Sequence, residues 1–287
     1  PLAFVSFFLS LKILPNDTVP SGRTFDKSGF ILVSLAMLGA MIGLSYLQQS
    51  HWPIIATIVI CSLLVALFWG FCYQQKRQAH PLLEISLFKF PTFTVAAIIA
   101  FIYGMGLWGS AFFLPLYLQN ALHMSAWDTG MVMLPSGLLL CLILPVAGRM
   151  ADNLAPKLVV SIGLLAFGCA LTLLGLGLGQ IGFISLAALI ALSRGLGLGM
   201  MIPSLDATAT RALPSEALAE GVAIMNFLRQ LGGAFSPIIL ILVLDWRTRV
   251  NGAVTGGLIA SYQETLFAIG VLFLLCIFAS RLLPNKV

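Results

Sequence analysis

The amino-acid sequence predicts an all-α protein, a bundle of helices that crosses a membrane several times. Of its 287 residues, 60% are apolar and only 9% are charged, whereas soluble domains carry about 25% charged residues. The apolar runs reach about 20 residues, which is the length a helix needs to cross the hydrocarbon core of a bilayer. They lack the alternation of apolar and polar residues, over about 10 residues, that marks the strands of a transmembrane barrel.

Apolar length places the end of one helix at residues 2–14 and eight complete spans after it. We expect these spans at 29–48, 53–73, 92–119, 128–147, 158–178, 181–205, 219–244 and 265–283. Residue 1 is Pro, and the run that follows it is too short to cross a membrane. We therefore expect the chain to begin inside a helix of a longer protein.

The basic residues predict the orientation of the spans. Two of them, Arg247 and Arg249, belong to one face of the membrane, and eleven belong to the other: Lys12, Arg23, Lys27, Lys76, Arg77, Lys89, Arg149, Lys157, Arg211, Arg281 and Lys286. The positive-inside rule makes the second face cytoplasmic. Trp52, Trp127 and Trp246 then lie at the outer interface. We expect a multi-pass protein of the bacterial inner membrane with a cytoplasmic C-terminus.

Several classes of function lack support in the sequence. The basic residues that give the net charge of +5 are expected at one face of the membrane. Nucleic acid is therefore not an expected partner. Five cysteines in apolar runs are interpreted as small buried residues, and three histidines in connecting segments offer no metal site. The sequence has neither a phosphate-binding loop nor a nucleophile elbow, so we expect no enzyme and no cofactor.

The placement of the carboxylates bears on ion coupling. We expect all ten in loops or at the ends of spans: Asp17, Asp26, Glu84, Asp128, Asp152, Asp206, Glu216, Glu220, Asp245 and Glu264. A proton-binding acid at the membrane midplane is therefore not expected in this chain.

Two arginines stand apart from the other basic residues. Arg194 and Arg229 each lie more than ten residues inside an apolar run, about 15 Å deep at helical rise. An arginine at the centre of a bilayer costs at least about 2.5 kcal/mol on insertion scales. We therefore expect both to face a partner, a cavity or a substrate.

Three segments combine small and polar residues. The first, Gly148 to Asp152 followed by Pro156 and Lys157, is expected to form a tight loop. In it Asp152 either caps the next helix or pairs with a basic neighbour. The second places Ala191, Gly195 and Gly199 at intervals of four, a stripe on which membrane helices pack closely.

The third segment carries a polar stripe. Asn226, Arg229, Gln230 and Gly233 lie at i, i+3, i+4 and i+7, which puts them on one helical face. Such a stripe on an apolar helix faces an interior or a cavity. The alternative is that these side chains only join helices by hydrogen bonds.

Together these segments resemble the major facilitator superfamily, specifically its fourteen-span drug:proton antiporters. The first segment is similar to the G-x-L-A-D-R-x-G-R-K loop and departs from it at Asn153, Ala155 and Pro156. Arg194 to Gly199 is similar to R-G-L-G-x-G, and Gly221 to Gly233 to G-x-x-x-x-N-x-x-R-Q-x-G-G.

The resemblance implies a domain organisation. Residues 1–14 end the sixth transmembrane helix, 15–28 form a cytoplasmic loop, 29–73 form two linker transmembrane helices, 74–91 form a second cytoplasmic loop and 92–287 form the C-terminal six-helix half. This half is a 3+3 inverted repeat. The N-terminal half, a partner of this one in the same protein, is missing from the chain.

The resemblance also assigns roles to residues. Because the first and fourth helices of each half line the central cavity, the resemblance implies a substrate cavity at Tyr103, Trp108, Phe112 and Arg194. The polar stripe of the fifth helix adds Asn226, Arg229 and Gln230 to it. Gly148, Asp152 and Lys157 belong to a cytoplasmic gating loop. Gly195, Gly199, Gly232 and Gly233 are helix-packing residues.

The function implied is secondary active transport across the lipid bilayer: proton-coupled export of drug-like or hydrophobic small molecules by alternating access. One alternative is a dedicated metabolite exporter of the same fold. Another is a half-sized membrane scaffold protein that transports nothing.

Overall fold

The computed structural model describes residue 4, residues 26–46, 83–178, 182–251 and 256–283, and short pieces between 62 and 75. The helix predicted at 2–14, most of the loop at 15–28 and most of the span at 53–73 lie outside the described residues. The same holds for part of the loop at 74–91 and for the C-terminal residues 284–287.

The described part of the chain is helical throughout and contains no strand. Its helices are α1 (Lys27–Tyr46), α2 (Pro91–Leu116), α3 (Ala126–Asn153), α4 (Pro156–Gly175), α5 (Phe183–Arg211), α6 (Leu218–Asn251) and α7 (Gly257–Ser280). Helices α2 to α7 are long and apolar enough to cross a membrane. The prediction of an all-α, polytopic membrane fold is confirmed.

Several helices extend beyond the predicted spans. Helix α3 runs to Asn153 instead of ending at 147, α6 runs to Asn251, and α7 begins at Gly257. Apolar runs end where the charges begin, but backbone hydrogen bonding continues into the polar turns. In the last turns of α6, for example, Arg249 pairs with Asp245 at 2.7 Å, one helical turn away.

Local sequence explains where the helices begin. Helices α2 and α4 start at a proline, whose missing N–H costs nothing in the first turn. At the start of α3, the Ser125 hydroxyl accepts a hydrogen bond from the Asp128 backbone N–H at 3.1 Å. The same hydroxyl donates to the Asp128 carboxylate at 2.6 Å. This cap fixes the turn between α2 and α3.

The six long helices pack in an order that positions the polar side chains. Helix α2 lies along α6, α4 lies along α7, and α5 lies against both α3 and α4. The packing repeats within the bundle. If α2, α3 and α4 are matched in order with α5, α6 and α7, the α2–α6 contact corresponds to the α5–α3 contact, and the α4–α7 contact corresponds to itself. Phe167 of α4 and Phe273 of α7 fill the centre, with ring centroids 4.4 Å apart.

Candidate functional site

An ion pair joins α5 to α6. Nη1 of Arg229 lies 3.0 Å from each carboxylate oxygen of Asp206. Nη2 of Arg229 donates to Oδ1 of Asn226 at 2.7 Å. The Arg229 side chain is 14% exposed and that of Asp206 is 40% exposed. Two acceptors therefore stabilise a guanidinium that the sequence places deep in an apolar run.

Asp206 was expected in a loop or at the end of a span, just past the predicted span at 181–205, and the helix continues beyond it. The residue lies on α5, five positions before the helix ends at Arg211. The polar run from Asp206 onward lowers the hydropathy, so apolar length ended the predicted span at 205. The charge of Arg229 was the signal that could have found Asp206, because a buried guanidinium needs a counter-ion nearby.

Arg194 joins α5 to α2 without a carboxylate. Nη1 of Arg194 lies 2.6 Å from Oγ of Ser110 and 3.2 Å from the backbone oxygen of Leu107. Arg194 lies in a π-helical segment, Ala191–Leu198, inside α5. Such wider turns are frequent at functional sites. Within the described ranges Arg194 forms no ion pair, so its positive charge is not neutralised there.

Tyr103 is close enough to both arginines to feel their charges, and it is not on an open face. Its residue is 1% exposed, and its hydroxyl has no hydrogen-bond partner among the described residues. The charges of Arg229, Arg194 and Asp206 all act on that hydroxyl. Tyr103 points about 140° away from Trp108 around the helix axis, so the two do not line the same surface.

A shallow concavity of about 540 Å³ opens between α2 and α6. Trp108 and Phe112 line it from α2 and are 47% and 39% exposed. Gln230 and Gly233 line it from α6, and the remaining lining residues are Ala111, Ala234 and Pro237. The surface is aromatic and apolar, with one amide that can orient a bound molecule. Three residues chosen from the sequence, Trp108, Phe112 and Gln230, thus meet at one surface.

A second cavity, of about 500 Å³, lies between α1 and α6. Its described lining is apolar throughout and includes Met37, Phe71, Phe88, Phe227 and Phe235. Because this lining offers no polar side chain to orient a ligand, the concavity between α2 and α6 is the stronger candidate site.

Glycines bring the helices close together at the site. A Cβ at Gly104 would strike the backbone of Arg229, and one at Gly232 would strike the backbone oxygen of Phe101. A Cβ at Gly233 would strike the indole of Trp108. The line of contact between α2 and α6 therefore requires these glycines.

The small-residue stripe of α5 faces another helix. Gly195 lies against Leu139 of α3, and Gly199 lies against Ile143 of the same helix. The stripe therefore holds α5 against α3.

The predicted gating loop is shorter than the sequence suggested. Gly148 and Asp152 lie in the last turns of α3, and Lys157 lies in the first turn of α4. A Cβ at Gly148 would meet no described residue within 4 Å, so no helix contact in the described part of the chain requires this glycine. Of the two roles considered for Asp152, the structure shows pairing with a basic residue: its Oδ1 lies 3.2 Å from Nη2 of Arg211 on α5.

These helices and this intramembrane polar network define a multi-pass α-helical membrane protein. A sequence model described as Major Facilitator Superfamily matches residues 27–237. The chain therefore belongs to the major facilitator superfamily, as the motif resemblance predicted.

Relatives of the chain carry drug-resistance names. Lincomycin resistance protein LmrB of Listeria monocytogenes is 28% identical over 251 residues, which cover 85% of this chain and 52% of the relative. The multidrug resistance protein B homolog of Mycobacterium tuberculosis is 25% identical over 256 residues, 86% of this chain and 46% of the relative. Colistin resistance protein EmrB of Acinetobacter baumannii is 27% identical over 257 residues, 83% of this chain and 49% of the relative. The chain spans about half the length of these relatives.

Proposed function

We propose that the whole protein is a secondary active exporter of drug-like or hydrophobic small molecules. It exchanges them for protons by alternating access. The observation that carries this proposal is the concavity lined by Trp108, Phe112 and Gln230, at the contact of the first and fifth helices of the bundle. The drug-resistance names of the relatives support the same substrate class.

The chemistry of this surface favours neutral and amphiphilic compounds. Aromatic side chains bind apolar molecules by area burial and stacking, and Gln230 supplies a donor and an acceptor. The charge of Arg229 is balanced by Asp206, whereas that of Arg194 is met by neutral acceptors. One positive charge, that of Arg194, therefore has no carboxylate partner among the described residues.

In this proposal residues 92–287 form the C-terminal six-helix half and residues 29–73 form two linker helices. The rest of the polypeptide supplies a second half, which closes the concavity into a central cavity. The span of about half of each relative supports this arrangement. The protein lies in the bacterial inner membrane, with the Asp152–Arg211 end of the bundle on the cytoplasmic side, as the distribution of basic residues favours.

The test is drug accumulation in cells. Bacteria deficient in efflux express the full-length protein, and the retention of lincomycin, ethidium and rhodamine 6G is measured with and without a protonophore. We expect lower retention of at least one compound, abolished by the protonophore. Equal retention of all three compounds in expressing and control cells contradicts the proposal.

A further inference from the structure

We propose that Asp206 is the proton-binding carboxylate of this half and that Arg229 is the partner it releases. The inference rests on the proposed function, which requires a proton site but does not locate one. The starting observation is the contact of Arg229 Nη1 with both carboxylate oxygens of Asp206 at 3.0 Å.

The two partners differ in how far the described part of the chain covers them. The Asp206 side chain is 40% exposed and that of Arg229 is 14% exposed. Within the described part of the chain the carboxylate is thus the more open partner, the one that a proton can reach while the guanidinium stays enclosed. Removing one partner of a buried pair leaves the other charge uncompensated, which is strongly unfavourable. Protonation of Asp206 consequently destabilises the arrangement in which α5 and α6 are joined.

The proton balance is simple. A proton from one side of the membrane forms an O–H bond on the Asp206 carboxylate, and the ion pair with Arg229 breaks. The guanidinium keeps its own proton and its charge. When the site faces the other side, the O–H bond breaks, the proton leaves to water and the ion pair forms again.

The buried hydroxyl of Tyr103 fits this exchange. It has no hydrogen-bond partner among the described residues, and the charges of Arg229 and Asp206 both act on it. Burying a hydroxyl without a hydrogen-bond partner costs free energy, so such a group is expected to find a partner in another state of the protein. In the protonated state it offers an acceptor to the released guanidinium of Arg229.

Other charged groups of the helices packed against α5 lie elsewhere, and Glu220, for example, is in the first turn of α6, at the opposite side of Arg229 from Asp245. Arg194 binds Ser110 and Leu107 of α2. Asp152 of α3 binds Arg211, at the cytoplasmic end of α5. Arg149 and Lys157, near the ends of α3 and α4, form no ion pair with Asp206 in the described part of the chain.

Coupling to the substrate follows from sequence adjacency. Gln230 lines the concavity and directly follows Arg229 on α6. If the helical turn that carries Arg229 moves, the side chain of Gln230, which is proposed to bind substrate, moves with it. This links proton release to the shape of the cavity.

The experiment uses the full-length protein in liposomes with an acidic interior, and the probes are ethidium and lincomycin. Two readouts separate the roles: uptake driven by the pH gradient, and counterflow of the same compound without a gradient. For Asp206→Asn we expect at least about a tenfold loss of driven uptake and counterflow within about twofold of the wild type. Asp206→Glu, which keeps a titratable group, retains driven uptake.

Glu264→Gln is the matched control. Glu264 pairs with Arg247 at 3.5 Å, and its side chain is 41% exposed, close to the value for Asp206. We expect this variant to behave as the wild type in both readouts. If Asp206→Asn folds poorly, the double variant Asp206→Asn with Arg229→Gln removes both charges together, and the same result is expected.

Three results overturn the inference. Driven uptake at the wild-type level in Asp206→Asn shows that the proton binds elsewhere. Loss of driven uptake and of counterflow alike, in both the single and the double variant, shows that the pair is only structural. If the wild type takes up neither probe under a pH gradient, the proposed function fails, and this inference fails with it.

Discussion

The guanidinium of Arg194 lies 2.6 Å from the hydroxyl oxygen of Ser110, and this contact ties the fourth helix of the bundle to the first. The backbone oxygen of Leu107, one turn away, accepts a second hydrogen bond at 3.2 Å. Both acceptors are neutral, so the positive charge of Arg194 is not compensated among the described residues.

Removing the Ser110 hydroxyl tests this contact. We expect Ser110→Ala to lower the stability of the full-length protein by about 1.5–3 kcal/mol, the range for a hydrogen bond to a charged group. Export is expected to fall as well, because Arg194 loses its position. Thermal unfolding in detergent and export by cells at equal expression measure the two effects. The control is Ser185→Ala, since among the described residues that hydroxyl bonds only the nearby backbone oxygen of Gly182. Equal stability of the two variants contradicts this prediction.

The approach of α2 to α6 at Gly104 gives a second prediction. A methyl group there would strike the backbone of Arg229. Gly104→Ala is expected to destabilise the protein by about 1–3 kcal/mol, as overpacking does. Gly137→Ala is the matched control, because a Cβ at that position meets open space. Its effect should be neutral or slightly favourable, since Ala exceeds Gly in helix propensity by about 1 kcal/mol. A higher midpoint of unfolding for Gly104→Ala than for Gly137→Ala rules out the close contact.

The Asp152–Arg211 pair is expected to affect transport more than stability. Its side chains are 71% and 42% exposed, and exposed ion pairs contribute only about 0–1 kcal/mol. In the proposed cytoplasmic gate, however, the pair would favour one state of the transporter. We expect Asp152→Asn to reduce export severalfold with little change in the unfolding midpoint. The charge swap Asp152→Arg with Arg211→Asp should restore export.

The control for the gate is Asp245→Asn. Asp245 forms an ion pair of 2.7 Å with Arg249, and its side chain is 42% exposed. Unimpaired export by Asp152→Asn, or an equal loss in Asp245→Asn, contradicts a gating role.

The sequence predicts the helices better than it predicts their partners. Apolar runs of membrane length identified all six long helices, because the bilayer imposes that length on any helix that crosses it. The helix ends were placed less well, as at Asn153 and Gly257, because hydrogen bonding continues where hydropathy stops. The polar stripe on α6 was correctly expected to be helical, but its counter-ion was not identified.

The missed partner has a physical explanation. Asp206 and Arg229 are 23 residues apart in the sequence, on two different helices. Only the packing of α5 against α6 brings them together. The same holds for Arg194 and Ser110, which lie 84 residues apart. Tyr103 was assigned to the cavity by its type, whereas its burial depends on which face of α2 meets the rest of the bundle.

The most direct test of the account is the contribution of Phe112 to transport by the full-length protein. Phe112 is 39% exposed in the concavity, and Phe267 of α7 is 40% exposed but does not line the concavity. Ethidium, rhodamine 6G and lincomycin export is measured for Phe112→Ala and Phe267→Ala at equal expression. If the concavity binds substrate, Phe112→Ala weakens export of at least one compound by about tenfold, in line with the loss of one buried aromatic contact, while Phe267→Ala matches the wild type. Equal export by the two variants would contradict the assignment of the substrate site.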